Sequence, residues 1–396
     1  MADKMKTIVL GVTGSIAAYK AAELASRFTG EGFRVDVIMT ESAQQFIAPL
    51  TFRNITGRPV VTTMWDIDSE FSVEHVALAE AADVVLIAPA TANIIAKMAC
   101  GMADDMLSCT VLATKAPVVI APAMNDNMWS NPVTRENVAK LTKRGFTFVG
   151  PARGRLASGK MGLGRLTGLD DIYGITLQAL GRKGDLAGKH IVVTAGGTQE
   201  PVDPVRCLTN HSSGKMGYAV AEAARNRGAE VTLISAPTAL LHPPGIKVIA
   251  VNTAEEMLKA VQSAVQGADA LIMAAAVADF RPARAVASKI KRQDLNELTV
   301  ELERTPDILA QVKGSFIRVG FAAESHDVVA NAKEKVKRKG LDLIVANDIT
   351  EMDCGFGTDT NRVTIIDSKG KVENLPLLPK GEVADRILDK LITLLR

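Results

Sequence analysis

Short β-branched runs alternate with Ala-rich amphipathic stretches along the whole chain. In the first half, Thr7–Leu10, Arg34–Met39, Asp83–Ala88 and Val118–Ala121 are near-continuous apolar runs, the pattern of strands buried on both faces of a parallel sheet. Between them, Ala17–Phe28 and Thr91–Ala99 repeat their apolar positions with helical spacing and predict crossover helices. That alternation predicts an α/β fold built on an open, doubly wound parallel sheet.

From Pro151 to Gly168 the periodicity gives way to Gly, Arg and Ser. A structureless stretch of that length in a compact domain predicts a flap over a ligand. Leu169–Leu180 then predicts a helix, and Gly181–Gly188 a polar linker. The alternation restarts at His190–Thr194 and continues with Glu230–Ser235, Lys247–Val251, Ala270–Ala275, Arg318–Phe321 and Leu343–Ala346. Val363–Ile366 and Lys371–Glu373 predict a small antiparallel ribbon before a C-terminal helix. The expectation is two Rossmann-like, doubly wound parallel-sheet domains in series, residues 1–188 and 189–396. Their glycine loops differ, so the architecture repeats and the sequence does not.

Composition narrows the partners. Lys+Arg 46 against Asp+Glu 44 leaves a net charge of +2, so no global field recruits nucleic acid or an anionic membrane. Phosphate binding must be local. The longest apolar stretch, Ala268 to Ala278, is broken by Asp269 and too short to span a bilayer, and the N-terminus lacks a signal-peptide pattern. The expectation is a cytoplasmic protein. Its four cysteines, Cys100, Cys109, Cys207 and Cys354, lack metal or disulfide spacing and read as reduced and mostly packed.

Local phosphate chemistry has four candidates. Gly11 to Ala17 follows a strand and opens a helix, where free N–H groups and the helix dipole favour an anion, but it lacks the GxGxxG spacing. Ala88 to Asn93 is a second such strand end. In the second half, Thr194 to Arg206 follows a strand, yet Pro201 and Pro204 forbid an early helix and predict an extended loop over a ligand. Asn210 to Gly217 supplies amide, hydroxyl and glycine donors ahead of a helix near Tyr218. By themselves His75 reads as a surface or capping residue, Pro122 to Trp129 as a proline-rigidified loop, Asp279 as a carboxylate that ends a buried strand and caps the next segment, and Lys289 and Lys291 as a solvated basic face.

Taken in order, Thr13–Lys20, His75, Ala88–Asn93, Pro122–Asn125 and Gly162–Arg165 resemble the flavin-dependent cysteine decarboxylases. The resemblance implies FMN held by Gly14, Ser15, Thr40, Thr91 and Asn93, a catalytic base at His75, and Asn125 on the substrate carboxylate. Where that family typically carries a proton-donating cysteine, this chain has Ser158. Three readings stay open: Ser158 relays a proton through water, Cys100 or Lys160 substitutes, or the reaction stops at the oxidised enethiol.

The second half, through Thr194–Arg206, Asn210–Gly217, Ala274–Phe280, Ser288–Arg292, Thr305–Leu309, Val319–Glu324 and Asn347–Asp348, resembles the phosphopantothenate–cysteine ligases. The resemblance implies that CTP, with Mg²⁺, activates the 4'-phosphopantothenate carboxylate as an acyl-cytidylate, which the cysteine amine attacks. Lys289 would act on the phosphates, with Asp279, Pro306, Asp307, Ile308, Leu309, Phe321, Lys335 and Lys339 holding CTP, and Asn210, Arg206, Ser212 and Gly214 holding the acid. The ligase product is the substrate of the decarboxylase, so the order of the halves is chemically coherent. The families also imply trimers of the flavin half and dimers of the ligase half, which could close a dodecamer. A non-catalytic nucleotide-binding scaffold is the reading from another class.

Overall fold

The computed structural model describes residues 5–65, 73–290, 298–324, 327–348 and 357–395. Lys291, Arg292 and Cys354 lie outside them. The chain divides into two compact units, Met1–Leu180 and Gly181–Arg396.

The first unit carries a six-stranded sheet that runs, edge to edge, Val60–Val61, Arg34–Met39, Thr7–Val12, Val84–Ala90, Val118–Pro122 and Thr147–Phe148. All its pairings are parallel. Leaving out the two-residue edge strand Val60–Val61, the chain order across the sheet is 2-1-3-4-5, the flavodoxin order. The four longer strands are the four the apolar runs predict. The two short edge strands, each two residues long, are too brief to show a period.

Helix Tyr19–Gly30 turns Ala21, Leu24, Ala25 and Phe28 inward, the i, i+3, i+4, i+7 stripe of a helix lying on a sheet. Phe28 stacks on Tyr173 of helix Leu169–Gly181 at 5.0 Å between ring centroids, and the Arg27 guanidinium lies 3.7 Å over the Tyr173 ring. Sheet and helices on both faces leave Ile8, Leu10, Phe52 and Leu86 fully buried.

In the second unit an eight-stranded sheet runs Lys247–Ala250, Glu230–Ser235, His190–Ala195, Ala270–Met273, Ile317–Glu324, Leu343–Asp348, Val363–Asp367 and Val372–Asn374. The first six are parallel and the last two form the antiparallel ribbon. Helices Lys215–Asn226 and Lys380–Leu395 share one core with the sheet, built on Val220, Ala224, Ile387 and Leu391.

Several local expectations are corrected. Residues 181–188 are not a free linker: Leu186 is fully buried in the core of the second unit, and a Cβ on Gly181 would lie 2.2 Å from the Asn226 carbonyl oxygen. Polar composition concealed one apolar anchor. Pro151–Gly168 is an antiparallel hairpin, Ala152–Arg155 against Met161–Arg165, and not irregular. The strand expected to end at Asp279 ends at Met273, because the chain turns to bridge Ala276 to Gly197. Helix Lys215–Asn226 starts three residues before Tyr218, since Gly214 at φ 76° opens it. The cysteines are less packed than expected, with Cys100 and Cys207 exposed and Cys109 half-buried, all free.

Candidate active sites

In each sheet the chain reverses direction between two adjacent parallel strands, and ligands collect in the crevice at their carboxyl ends. For the first unit those strands are Thr7–Val12 and Val84–Ala90. Buried Thr13 ties their loops together: its hydroxyl donates to the Pro89 carbonyl at 2.7 Å and accepts from the Thr91 N–H at 3.1 Å. Ser15 caps the 3-10 turn Ile16–Ala18, and Thr91 caps helix Ala92–Cys100. Two helix starts therefore present uncompensated N–H groups on one edge, beside Gly14 and Asn93.

A cavity of about 550 Å³ opens next to them. Ser15, Asn125 and Ser158 line it together with Tyr19, Lys20 and Arg165. Pro122–Trp129, read as a loop, contains the short helix Asp126–Ser130, which Asn125 caps by accepting from the Asn127 N–H at 2.9 Å. The hairpin sits on that cap through two glycines. A Cβ on Gly164 would lie 2.2 Å from the Met124 carbonyl oxygen, and one on Gly162 2.9 Å from Asp126. Ser158 is exposed in the hairpin turn, which Gly159 closes at φ 82°.

Other expected residues lie apart from this cavity. His75 is half-buried in the first turn of helix Glu74–Ala81, and neither it nor Thr91 and Asn93 line the cavity. Thr40 lines a separate space of about 160 Å³ with Met39, Trp65 and Asp105. Of the two substitutes for the absent thiol, Cys100 ends helix Ala92–Cys100 and Lys160 is exposed in the hairpin; neither lines the cavity. Lys20 and Tyr19 do.

In the second unit the reversal falls between His190–Ala195 and Ala270–Met273, whose following loops are zipped. Thr194 accepts from the Ala275 N–H at 3.1 Å, and Ala276 donates to Gly196 at 2.8 Å. The Thr198 hydroxyl accepts from Ala278 at 3.0 Å. Beyond the zip, the proline-interrupted segment forms the extended ribbon Gln199–Pro201 against Cys207–Thr209. Two cavities of about 480 Å³ each share Ala275, Val277, Asp279 and Phe321 as walls.

One cavity holds Pro306, Asp307, Ile308, Leu309 and Lys339. Asp307 caps the short helix Ile308–Gln311 and pairs with Lys339 at 3.2 Å. The other holds Asn210, Ser212, Gly214 and Lys335. Asn210 is anchored by its Nδ2 to the Val277 carbonyl at 3.1 Å, which places its Oδ1 as the available acceptor. Of the residues expected for CTP, Pro306–Leu309 and Lys339 line the first cavity, Lys335 lines the second beside Asn210, Ser212 and Gly214, and Asp279 and Phe321 line both.

Arg206 and Lys289 line neither cavity. Arg206 donates to Asp203 Oδ2 at 2.9 Å and to the Ile290 carbonyl at 3.4 Å, so it holds the segment that carries Lys289. Asp203 is buried, and burial alone would raise its pKa. The N–H groups of Val205, Ile290 and Arg206 and the Arg206 charge outweigh that and hold the carboxyl below its ordinary range. Sequence reading missed Asn361 and Lys380, which line the Asn210 cavity from a distant part of the chain. No local motif marks them.

Fold and sites together define a two-domain α/β enzyme with a nucleotide-type crevice in each unit. The chain matches the flavoprotein family over residues 1–181 and the DNA/pantothenate metabolism flavoprotein C-terminal domain over residues 186–395. It belongs to the family of the coenzyme A biosynthesis bifunctional protein CoaBC, to whose Vibrio vulnificus member it is 44% identical over 395 residues, 98% of each chain. Among solved structures, a PPC decarboxylase mutant complexed with pantothenoylaminoethenethiol is 33% identical over 43% of this chain and 96% of its own, with a TM-score of 0.40. The FMN-dependent cysteine decarboxylase SpaF is 37% identical over 41% of this chain and 90% of its own, TM-score 0.37. The chain is a bifunctional enzyme of coenzyme A biosynthesis, with a flavoprotein decarboxylase domain followed by a ligase domain. Among the described residues no helix is long and apolar enough to cross a membrane.

Proposed function

We propose that residues 189–396 ligate cysteine to 4'-phosphopantothenate with CTP, and that residues 1–188 decarboxylate the resulting 4'-phosphopantothenoylcysteine with FMN. The observation that carries the ligase assignment is the pair of adjoining cavities, one bearing Pro306–Leu309 and Lys339, the other Asn210, Ser212 and Gly214. Asp279 and Phe321 belong to both and stand where the two substrates meet.

In the ligation, the acid's carboxylate attacks the α-phosphorus of CTP and pyrophosphate leaves; the cysteine amine then attacks the acyl carbon and CMP leaves. Lys339 and Lys335 hold the nucleotide, and Lys289 neutralises the charge that builds on the phosphates. The Asn210 amide orients the acyl-cytidylate, with Ser212, Gly214 and Arg206 assisting on the acid. Mg²⁺ enters on the triphosphate, held through phosphate oxygens and water.

The donor set of the first unit fits a flavin phosphate, because the Gly14–Ser15 and Thr91–Asn93 loops end two adjacent parallel strands at helix starts. Thr40 follows the flanking strand Arg34–Met39, where it caps the 3-10 turn Glu41–Gln45, and completes the set. When bound, FMN would supply a two-electron oxidation of the cysteinyl thiol that makes loss of carbon dioxide easy and would then return the same two electrons to the enethiol, so that the decarboxylation is redox-neutral overall. His75 takes the proton released in that step. The Asn125 Nδ2, left over from its capping bond, donates to the departing carboxylate. Ser158 passes a proton to the product through water. The flavin half acts as a trimer and the ligase half as a dimer, in the cytoplasm.

Mass spectrometry of the products from 4'-phosphopantothenate, cysteine and CTP tests the whole reading. It requires pyrophosphate and 4'-phosphopantetheine. An enethiol as the sole product would end the Ser158 relay, and absence of pyrophosphate the ligase assignment.

A further inference from the structure

The ligase cavity that holds Asn210 contains a feature that neither fold nor nucleotide explains. Asn361 is 6% exposed and lines that cavity, yet its Oδ1 is buried with no hydrogen-bond partner among the described residues. A buried amide oxygen left unpaired destabilises the fold, and one in the wall of a binding cavity is placed to take a donor from a ligand.

The position of Asn361 is closely fixed. It lies in the two-residue strand Thr360–Asn361, paired with Leu378–Pro379. The turn before it is tied from two sides. Lys215, the first residue of helix Lys215–Asn226, donates to the Gly357 carbonyl at 2.8 Å and pairs with Asp359 at 2.7 Å. Buried Lys380 donates from its ammonium to the Thr358 carbonyl, and from its backbone to the Asp359 carbonyl at 2.9 Å. The backbone that carries the amide is therefore fixed before a ligand arrives, which lowers the entropy cost of binding.

We propose that Asn361 is a substrate-binding residue of the ligase, whose amide oxygen accepts a hydrogen bond from the pantothenate body. This rests on assigning the Asn210 cavity to the acid substrate. Between its carboxylate and its phosphate that acid carries two donors, a secondary hydroxyl and an amide N–H, either of which would satisfy a lone carbonyl oxygen. Asn361 shares its cavity with Asn210, Ser212 and Gly214, the residues placed on the acid, and does not line the cavity bearing Pro306–Leu309.

Asn361→Leu tests the assignment, because removing an unpaired acceptor and removing a structural bond have opposite effects on stability. The expected result is an affinity for 4'-phosphopantothenate about three- to tenfold weaker by calorimetry, with KM for CTP and cysteine unchanged and a melting temperature equal or higher. A lower melting temperature with all three KM values raised, or an unchanged affinity, would overturn it. Should the variant fail to fold, the unaltered enzyme is assayed with an acid lacking the hydroxyl and with one N-methylated at the amide. One of the two must lose a similar factor; if neither does, the proposal is wrong. Asn210→Ala separates this from the cavity assignment, which fails if that variant binds the acid normally.

Discussion

The Met124 N–H donates to the Gly164 carbonyl at 2.9 Å, and a side chain on Gly164 would meet the Met124 carbonyl oxygen at 2.2 Å. This contact joins the hairpin bearing Ser158 to the cap residue Asn125. Backbone atoms on the receiving side cannot swing away. Gly164→Ala must therefore displace the hairpin, and decarboxylation is expected to fall about a hundredfold. Pyrophosphate release from the ligase, measured in the same preparation, is expected to stay within twofold. Equal loss of both would show general unfolding.

Replacing Ser158 tests its own role. A thiol is a far stronger acid than a serine hydroxyl, with a reference pKa of about 8.5. Ser158→Cys is expected to speed formation of 4'-phosphopantetheine, and Ser158→Ala to slow it by about 10²–10⁴-fold while enethiol accumulates. Single-turnover product analysis distinguishes these outcomes. An unaffected alanine variant would move the proton donor to Lys20 or Tyr19, which line the same cavity.

The role proposed for Lys289 is to neutralise the developing phosphate charge. Lys289→Gln removes the charge and keeps much of the length. A loss of about 10²–10³-fold in kcat for ligation, with KM for CTP little changed, is expected if the charge acts in the transition state. A raised KM with normal kcat would make Lys289 a ground-state binding residue.

Asp203 sets the acid limit of the Lys289 segment. Its carboxyl titrates below the ordinary carboxylate range in the folded chain, so the stability it contributes is complete above the unfolded pKa and is lost as pH falls through the folded one. Between pH 5 and 8 the ligase profile should show no ionisation from Asp203. Asp203→Asn should lower kcat for ligation at every pH in that window, because Ile290 and Arg206 lose a charged acceptor. A variant whose defect appears only at acid pH would contradict this.

Leu186 offers a test of where the second unit begins. Leu186→Ala is expected to cost about 2–5 kcal/mol, since the side chain is fully buried. Urea unfolding of the ligase unit should register that loss. A value near zero would restore a free linker at residues 181–188.

The four long strands of the first sheet and the inner parallel strands of the second were legible because strands buried on both faces are near-continuously apolar, and the half-exposed edge strand Lys247–Ala250 was legible from its short β-branched run. The loops at their carboxyl ends were legible too, since glycine, serine and threonine ahead of a helix mark an anion site wherever they occur. Motif residues such as Asn125, Asn210 and Pro306–Leu309 could be named, although the spacing between motifs said nothing about distances.

Chain order alone could not reveal which of these residues share a space. Ser158 and Asn125 line one cavity because Gly164 lets two backbones touch and Gly162 leaves room for the Asp126 side chain, and the Asn210 cavity is closed by Asn361 and Lys380 from a distant part of the chain. Local propensity acts over a few residues and determined the elements. Packing acts across the whole chain: it decided that Leu186 is an anchor, that Arg206 holds Ile290, and that an unpaired amide stands in the wall of the ligase cavity.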